Sequence, residues 1–595
     1  MNRRDFLQGA ASGAALLASS LSPARAARAV GAARSPSDRP PKELPADIVV
    51  IGGSFGGVAA ALAAARMGRS VILTEETRWI GGQATTQGVP LDEHPWIESF
   101  GCTRSYREFR NGVRDYYRQH YPLTPEARAD RTLNPGAGWV SGLGFEPRVG
   151  LAVLEQMLAP HRTAGRVVTL IRHRPVAVAM EGDRCRAVTV RDEDTGHEKT
   201  LTAAIIIDAT ELGDLLPMAG IEHVIGAESQ ADTGEPNAIN GPAEARNQMQ
   251  FTHVFALDYL PGEDHTTAKP RDYESWRTRL NPHNGKPKLP VASLMSGPHD
   301  YYTKAATDPD AYQLSTWNFR RVFCKDNFAP RAFRSDVTVA IWSQNAYNYG
   351  PLLGVTPEEQ AQHLEGARQL SLSLIHWLQT EAPNTLEKRT GFPGVRPRGD
   401  VLGTEDGLAQ YPYIRESRRI KAEFTVLEQH FRTDGEKTKA GPMKYKDSVG
   451  LSGYRVDIHK PAGQVSMTIA NHGKHWTQQI PLGALIPVRV ENVLPACKNL
   501  GVTAVTNGAF RVHPTEWNIG EAAGALAGFC LNHKLAPRQV RNTAKHLADF
   551  QREIVRHGFE LDWPNQEFAR SYYSHVSVAF PDWYYGEARR LKSPL

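Results

Sequence analysis

The chain has 595 residues, more than one hydrophobic core usually organises, so two or more domains are expected. Hydrophobic residues make up 41% and charged residues 22%, the composition of a soluble globular protein. Of the formal charge of +5, +3 lies in residues 1–29, which leaves +2 for the rest and excludes a nucleic-acid-binding surface.

The N-terminal stretch Asn2-Arg3-Arg4-Asp5-Phe6-Leu7 resembles the twin-arginine export consensus. An apolar run over 9–21 follows, too short and too rich in Gly and Ser to span a bilayer, and small residues suit a peptidase at Ala26 or Ala29. Residues 1–29 are therefore expected to be an export signal read by the twin-arginine machinery. The expected location is periplasmic or extracellular, with no integral membrane segment. Residues 30–45, rich in Pro, Arg and Ser, read as a flexible linker.

Residues 46–51 are a short β-branched run, followed by Gly52-Gly53-Ser54-Phe55-Gly56-Gly57 and an Ala-rich segment to Met67. The pattern predicts a buried strand, a tight turn and a helix. A second strand over 70–74 ends at Glu75-Glu76, near the spacing at which a dinucleotide site places its ribose-binding acid. Gly52 permits the turn, Gly57 lets helix and strand pack closely, and the first helical amides face a pyrophosphate. The second glycine of the G-x-G-x-x-G fingerprint is Ser54 here, a small residue that crowds the turn slightly and can donate a hydrogen bond.

After Glu75 comes Arg78-Trp79-Ile80-Gly81-Gly82-Gln83-Ala84-Thr85. Together these motifs resemble the FAD-dependent oxidoreductases of the glutathione-reductase-like flavoprotein superfamily. The resemblance implies FAD as cofactor, with the Gly81-Gly82 pair and Gln83 wrapping its diphosphate and ribityl chain. It implies a Rossmann-like FAD-binding domain with a central parallel sheet and a β-meander, plus an inserted α+β substrate domain. The redox cysteine pair of the disulfide reductases does not follow this point. The five cysteines are scattered and form no C-x-x-C pair, so neither a zinc site nor a disulfide framework is indicated. His472 and His475 are the nearest thing to a ligand pair, and no metal is expected there.

Downstream, helices are expected over 105–120 and 147–158, and strands over 167–170, 176–180 and 185–191, with a turn at Glu181-Gly182-Asp183. These strands read as the meander. The buried run 204–207 leads into Asp208-Ala209-Thr210-Glu211-Leu212-Gly213-Asp214, which occupies the place of the superfamily's third cofactor motif and brings Thr210 and Asp214 toward the cofactor. Asp214 also suits a helix cap. Residues 222–410 are expected to be the inserted substrate domain, with a helix over 357–379. Trp342, Tyr347 and Tyr349 there are read as core packing in preference to ring stacking.

Residues 46–221 and 491–535 are the two parts of the expected FAD-binding domain, with a mixed region over 411–490 and a helical extension over 536–595. The arrangement Tyr413-Ile414-Arg415-Glu416-Ser417-Arg418-Arg419 resembles uncharacterised flavoproteins of the same broad family. A late strand over 499–505 and a small-residue helix are expected to close the cofactor site. Thr515 is expected to cap that helix, and the amides of Asn518 to Gly520 to face the flavin ring. His513 is the candidate general base, with Arg511 as the neighbouring cation; a backbone hydrogen bond is the competing role for His513. Arg415 and Glu416 are secondary candidates that also suit a structural ion pair. The expected function is that of an exported FAD-dependent oxidoreductase, whose flavin takes a hydride from a small organic substrate and passes electrons to an unknown acceptor. A flavin monooxygenase and a non-catalytic electron-transfer flavoprotein are the alternatives.

Overall fold

A computed structural model describes residues 42–94, 96–138, 140–291, 294, 316–384, 387–432, 442–459 and 475–564. The chain enters through β1 (Lys42–Pro45) and β2 (Ile48–Ile51), then α1 (Phe55–Arg66) and β3 (Val71–Glu75). Helices α2 (Arg104–His120) and α3 (Pro147–Thr163) precede β4 (Val167–Ile171), β5 (His173–Glu181), β6 (Arg184–Asp192), β7 (Glu198–Thr202) and β8 (Ile205–Asp208). The middle of the chain supplies β9 (Phe255–Tyr259), β10 (Arg321–Phe323), β11 (Val337–Ala340), α4 (Pro357–Thr380) and β12 (Val395–Pro397). The chain then forms β13 (Ser448–Ser452), β14 (Gln478–Pro481), β15 (Val493–Pro495), α5 (Ala504–Phe510) and α6 (His513–His533).

The central sheet is parallel, in the order β15-β8-β2-β3-β4, with Val49 in register with Ile72 and Ile206. All four residues of β2 are buried, as a central parallel strand covered on both faces requires. On one face α1 runs along α6 at very close range. A Cβ on Gly520 would sit 1.9 Å from the Gly56 carbonyl oxygen, and one on Gly524 would sit 2.1 Å from that of Ala60. The small residues of both helices are thus a packing requirement that brings the two glycine-rich segments together.

A second sheet, β1-β7-β6-β5, forms the meander, with β1 parallel to β7 and the others antiparallel. Three expectations change here. Strand β4 joins the parallel sheet rather than the meander, because its register with β3 continues the central pattern. The third meander strand is β7. Residues 42–45 are a strand and not linker, since β7 offers a free edge and Leu44 packs beside the core that lies between the sheets. Residues 1–41, with the export signal and the rest of the linker, lie outside the described residues.

The inserted part is an antiparallel sheet, β10-β11-β9-β12, with α4 packed over it through Leu370, Leu374 and Leu378. Trp342 and Tyr347 are buried in that second core, as expected for packing, and Tyr349 lies 4.6 Å beneath the Arg279 guanidinium. The arginines of α2 are structural: Arg110 bonds Glu93 at 2.9 Å and Glu98 at 2.8 Å below the surface. The late strand is β15; residues 499–503 form a loop into α5, not the strand expected over 499–505. Among the described residues no helix is long and apolar enough to cross a membrane.

Candidate functional site

The turn after β2 forms as its residues predict. Gly52 has φ +100°, a conformation that side chains resist, and a Cβ there would meet the Ala209 carbonyl at 2.4 Å. Ser54 caps α1: its Oγ accepts from the Gly57 N–H at 3.1 Å. The hydroxyl where the fingerprint has glycine starts the helix as an acceptor, and its own hydrogen remains a donor at the cavity that Ser54 lines. At the end of β3, Glu75 accepts from Gly53 N–H at 3.0 Å through Oε2, and from the Thr77 N–H at 2.7 Å and hydroxyl at 2.6 Å through Oε1. Burial pushes its carboxyl up to about 7.

Beside this turn lies a cavity of about 370 Å³, lined by Gly52, Ser54, Glu75, Glu76, Gly82, Thr210 and Asp214 among others. Seven sequence-predicted residues thus meet in one place, from β2, β3, the Gly81-Gly82 turn and the segment after β8. Arg174, Tyr411 and Arg418 complete the wall. Asp214 makes no cap hydrogen bond to the short helix Leu215–Met218 and instead pairs with Arg418 at 3.1 Å. Thr210 is fixed by Asp208, which accepts from its N–H at 3.0 Å and its hydroxyl at 2.7 Å.

Beyond Gly82 the first turn of α1 meets a buried charge cluster. The Gly56 N–H donates to Glu516 Oε1 at 3.1 Å. Lys498 Nζ donates to Glu516 Oε2 at 3.1 Å, to the Cys497 Sγ at 3.2 Å and to Glu211. Gln83 donates to Glu516 and, at 2.9 Å, to the Arg511 carbonyl. Glu211, Cys497 and Glu516 are the single group with metal-ligand spacing among the described residues. The lysine ammonium is the cation at its centre, and burial pushes the Cys497 thiol well above its ordinary value, away from the thiolate a metal needs. His475 pairs with Glu428 at 3.2 Å, while His472 lies outside the described residues. Sequence spacing misses Lys498 and Glu516, because their partners are 287 and 460 positions away.

The third part surrounds the start of α6. Pro514 sits in the first turn and the helix begins at His513, with Val512 at its N-cap. Thr515 is therefore not the cap, and its hydroxyl pairs with that of Ser452 at 3.0 Å. Asn518 lies inside the helix and holds β13, accepting from Leu451 N–H at 3.2 Å and donating to the Val449 carbonyl at 3.1 Å. Asn518 and Gly520 serve packing, and neither lines the cavity. Phe55 packs on Trp517, Phe109 and His513, with ring centroids 4.7, 5.2 and 5.9 Å away.

His513 is fully buried, and its Nδ1 accepts the Asp92 backbone N–H at 3.1 Å. That bond places the ring hydrogen on Nε2, which has no hydrogen-bond partner among the described residues. Burial holds the imidazole down to about 4, so at neutral pH it is an uncharged donor. The general-base role expected for His513 does not fit this arrangement. Arg511 donates to the Tyr413 hydroxyl at 2.7 Å and to Asp457 Oδ2 at 2.9 Å. Arg415 lies 4.3 Å over the Tyr413 ring and donates to the Gln250 carbonyl at 2.9 Å and Thr252 Oγ1 at 3.0 Å. Glu416 is taken by structure, accepting from Arg419 at 2.6 Å and from Met249 N–H at 2.8 Å, all buried. It is not a catalytic candidate.

A strand–glycine turn–helix on a parallel sheet, an acid ending the next strand and a cavity at the strand ends define a dinucleotide-binding enzyme fold. The model of the family described as FAD dependent oxidoreductase matches residues 47–554, and the chain belongs to that family. FAD is accordingly its cofactor. Among solved structures, a geranylgeranyl bacteriochlorophyll reductase-like protein from Thermoplasma acidophilum is similar at 10% identity and TM-score 0.31, covering 87% of this chain and 84% of that one. The myxobacterial chondrochloren halogenase CndH is similar at 12% identity and TM-score 0.30, covering 93% and 97%. The anhydrotetracycline hydroxylase OxyS from Streptomyces rimosus is similar at 11% identity and TM-score 0.29, covering 87% and 68%. No curated protein matches the chain significantly.

The residues present fit the cofactor. The cavity holds an acid for ribose hydroxyls, and Glu211, which also lines it, keeps a buried oxygen, Oε1, beside Gly82 without a hydrogen bond, an acceptor for a hydroxyl of the cofactor.

Proposed function

We propose that this protein is an exported FAD-dependent dehydrogenase or oxidase acting on a small organic substrate. The observation that carries the reading is the convergence of Glu75, Gly82 and Thr210 on one cavity, with Gln83 next to Gly82 tied to the Arg511 carbonyl just before α6. Glu75, Glu76, Thr210 and Asp214 would hold the adenosine end of FAD, and the positive end of α1 would face its diphosphate. FAD, when bound, supplies the hydride acceptor. The chain's own groups shape what happens around it. The positive end of α6 and the uncharged His513 donor favour negative charge developing near the helix start. The phenyl ring of Phe55 and the indole of Trp517 keep water from that end. Resemblance of residues 2–7 to the twin-arginine consensus supports export of the folded, loaded protein.

The test is an anaerobic panel. Purified yellow protein mixed with candidate substrates should lose its oxidised-flavin absorbance with at least one of them, and no bleaching by any donor substrate would point to a structural flavin. Changing Arg3 and Arg4 to Lys should leave FAD-loaded protein in the cytoplasm; unchanged export would overturn that part of the reading.

A further inference from the structure

Three side chains near the start of α6 keep hydrogen-bond donors with nothing among the described residues to accept from them. His513 Nε2 and Arg511 Nε belong to side chains that are 0% and 1% exposed, and neither atom has a hydrogen-bond partner among the described residues. Arg320 adds two more, Nε and Nη1, from a side chain 11% exposed. A buried donor left unpaired is costly, and a guanidinium left so is more costly still. In native folds such groups are completed by ordered water or by a ligand, and a cluster that includes a guanidinium favours an anion.

The three residues come from two parts of the chain, and Asp92 links Arg320 to His513. Its backbone N–H holds His513, and its carboxylate lies 3.7 Å from Arg320 Nη1, too far for a hydrogen bond. Arg320 immediately precedes β10 of the inserted part, whereas Arg511 and His513 belong to the segment that closes the cofactor fold. The donors therefore stand where the inserted layer meets α6. Arg511 is already steered by Tyr413 and Asp457, which fix its plane and leave Nε over.

We propose that these donors recognise the substrate through a carboxylate, with Arg320 as its main counter-ion and the Arg511 Nε–H as second donor, beside the His513 donor already assigned to the reacting end. The inference rests on the reading of this region as the substrate end of a flavoprotein, and it names the substrate class. A carboxylate suits the donor set better than a phosphate. It is planar and singly charged, as guanidinium N–H groups prefer, and Asp92 nearby would repel a dianion more strongly. Because Arg320 comes from the inserted part and FAD from the other, the cofactor and the anion are held by separate groups of residues.

The experiment uses FAD-loaded wild-type protein at constant ionic strength. Acetate, lactate and benzoate are titrated by calorimetry and by flavin absorbance, beside acetamide, lactamide and benzamide. At least one carboxylate should bind saturably, while its amide binds about tenfold more weakly or not at all. Arg320→Met should weaken that carboxylate by about tenfold or more and leave the FAD content unchanged, and Arg320→Lys should fall between the two. Carboxylates that do not bind, or amides that bind equally well, would overturn the inference while the flavoprotein reading stands. Loss of FAD from a folded Arg320→Met protein would also overturn it, by assigning Arg320 to the cofactor. If both variants fail to fold, the acid–amide comparison on the wild type decides alone. A wild-type protein that binds no FAD removes the underlying reading, and this inference with it.

Discussion

The backbone N–H of Asp92 donates to Nδ1 of His513 at 3.1 Å, across 421 positions of sequence. This one bond sets the tautomer of a fully buried imidazole and makes its remaining nitrogen a donor. Burial also pushes the ring down to about 4, so it stays uncharged through neutral pH. A group that stabilises developing negative charge without moving a proton leaves a particular kinetic trace. His513→Ala should slow flavin reduction by about 10²–10³-fold, the range for one such donor. The pH profile between 6 and 8 should keep its shape. Stopped-flow reduction across that range checks both, and disappearance of a limb near pH 6.5 in the variant would restore the role of base.

Glu75 shows how cofactor affinity and stability oppose each other. Its carboxyl is raised from 4.5 to about 7, chiefly by burial. Between those values the folded apo-protein keeps a proton that the unfolded chain has released. Stability therefore falls as pH rises from about 4.5 to 7, by on the order of 3 kcal/mol from this group. Ribose hydroxyls donate best to the ionised form, so FAD affinity should rise through pH 7. Glu75→Gln should flatten that rise and weaken FAD binding by about 1–3 kcal/mol. The same change should raise apo-protein stability at pH 8 relative to wild type. Fluorescence titration of FAD and denaturant unfolding at pH 5.5 and 8 read the two effects separately.

How much of this was legible in the sequence depends on how far apart the interacting residues lie. Gly52, Ser54 and Glu75 fall within one strand–turn–helix–strand unit, where spacing alone places an acid beside a turn, and the structure puts all three around one cavity. Helices α2, α3 and α4 lie within a few residues of their expected limits because their apolar spacing is local. The start of α6 was misplaced because Thr515 is a good cap by type. Pro514, which favours the first helical turn, instead allows the helix to begin at His513. That shift moves Asn518 from a free amide position into the helix, where it holds β13. Lys498, Glu211 and Glu516 could not be joined by any spacing rule, since the fold alone makes them neighbours. Residue 42 onward could not be separated from the linker, because strand β1 exists only through the edge that β7 offers.

The close crossing of α1 and α6 makes a prediction about packing. A Cβ on Gly520 would stand 1.9 Å from the Gly56 carbonyl oxygen, a backbone atom that cannot turn aside. Gly520→Ala should force the helices apart, costing about 1–3 kcal/mol or more. Since α1 carries the amides nearest the cofactor, FAD content of the purified protein should fall with stability. Thermal unfolding together with flavin absorbance checks this; a fully loaded variant of wild-type stability would mean the helices do not cross so closely.

The last prediction concerns Lys498. Its ammonium is fully buried and holds Glu211 and Glu516, of which Glu516 also accepts from Gly56 N–H at the start of α1. Removing one partner of a buried ionic group is far more costly than exchanging all of it for apolar or neutral groups, because charges are left uncompensated. Lys498→Met leaves two carboxylates facing each other and should destabilise the apo-protein by about 3–5 kcal/mol. Glu211→Gln and Glu516→Gln on the Lys498→Met background remove the charges that remain, so the triple variant should recover much of the loss. FAD binding should recover with it. All three ammonium hydrogens of Lys498 are taken by Glu211, Glu516 and Cys497, and its charge is outweighed by the two carboxylates, so the lysine serves the fold rather than the diphosphate. The triple variant should therefore be stable and should bind FAD, which chemical denaturation and equilibrium dialysis measure independently. Weak FAD binding by a stable triple variant would show that the lysine does meet the diphosphate.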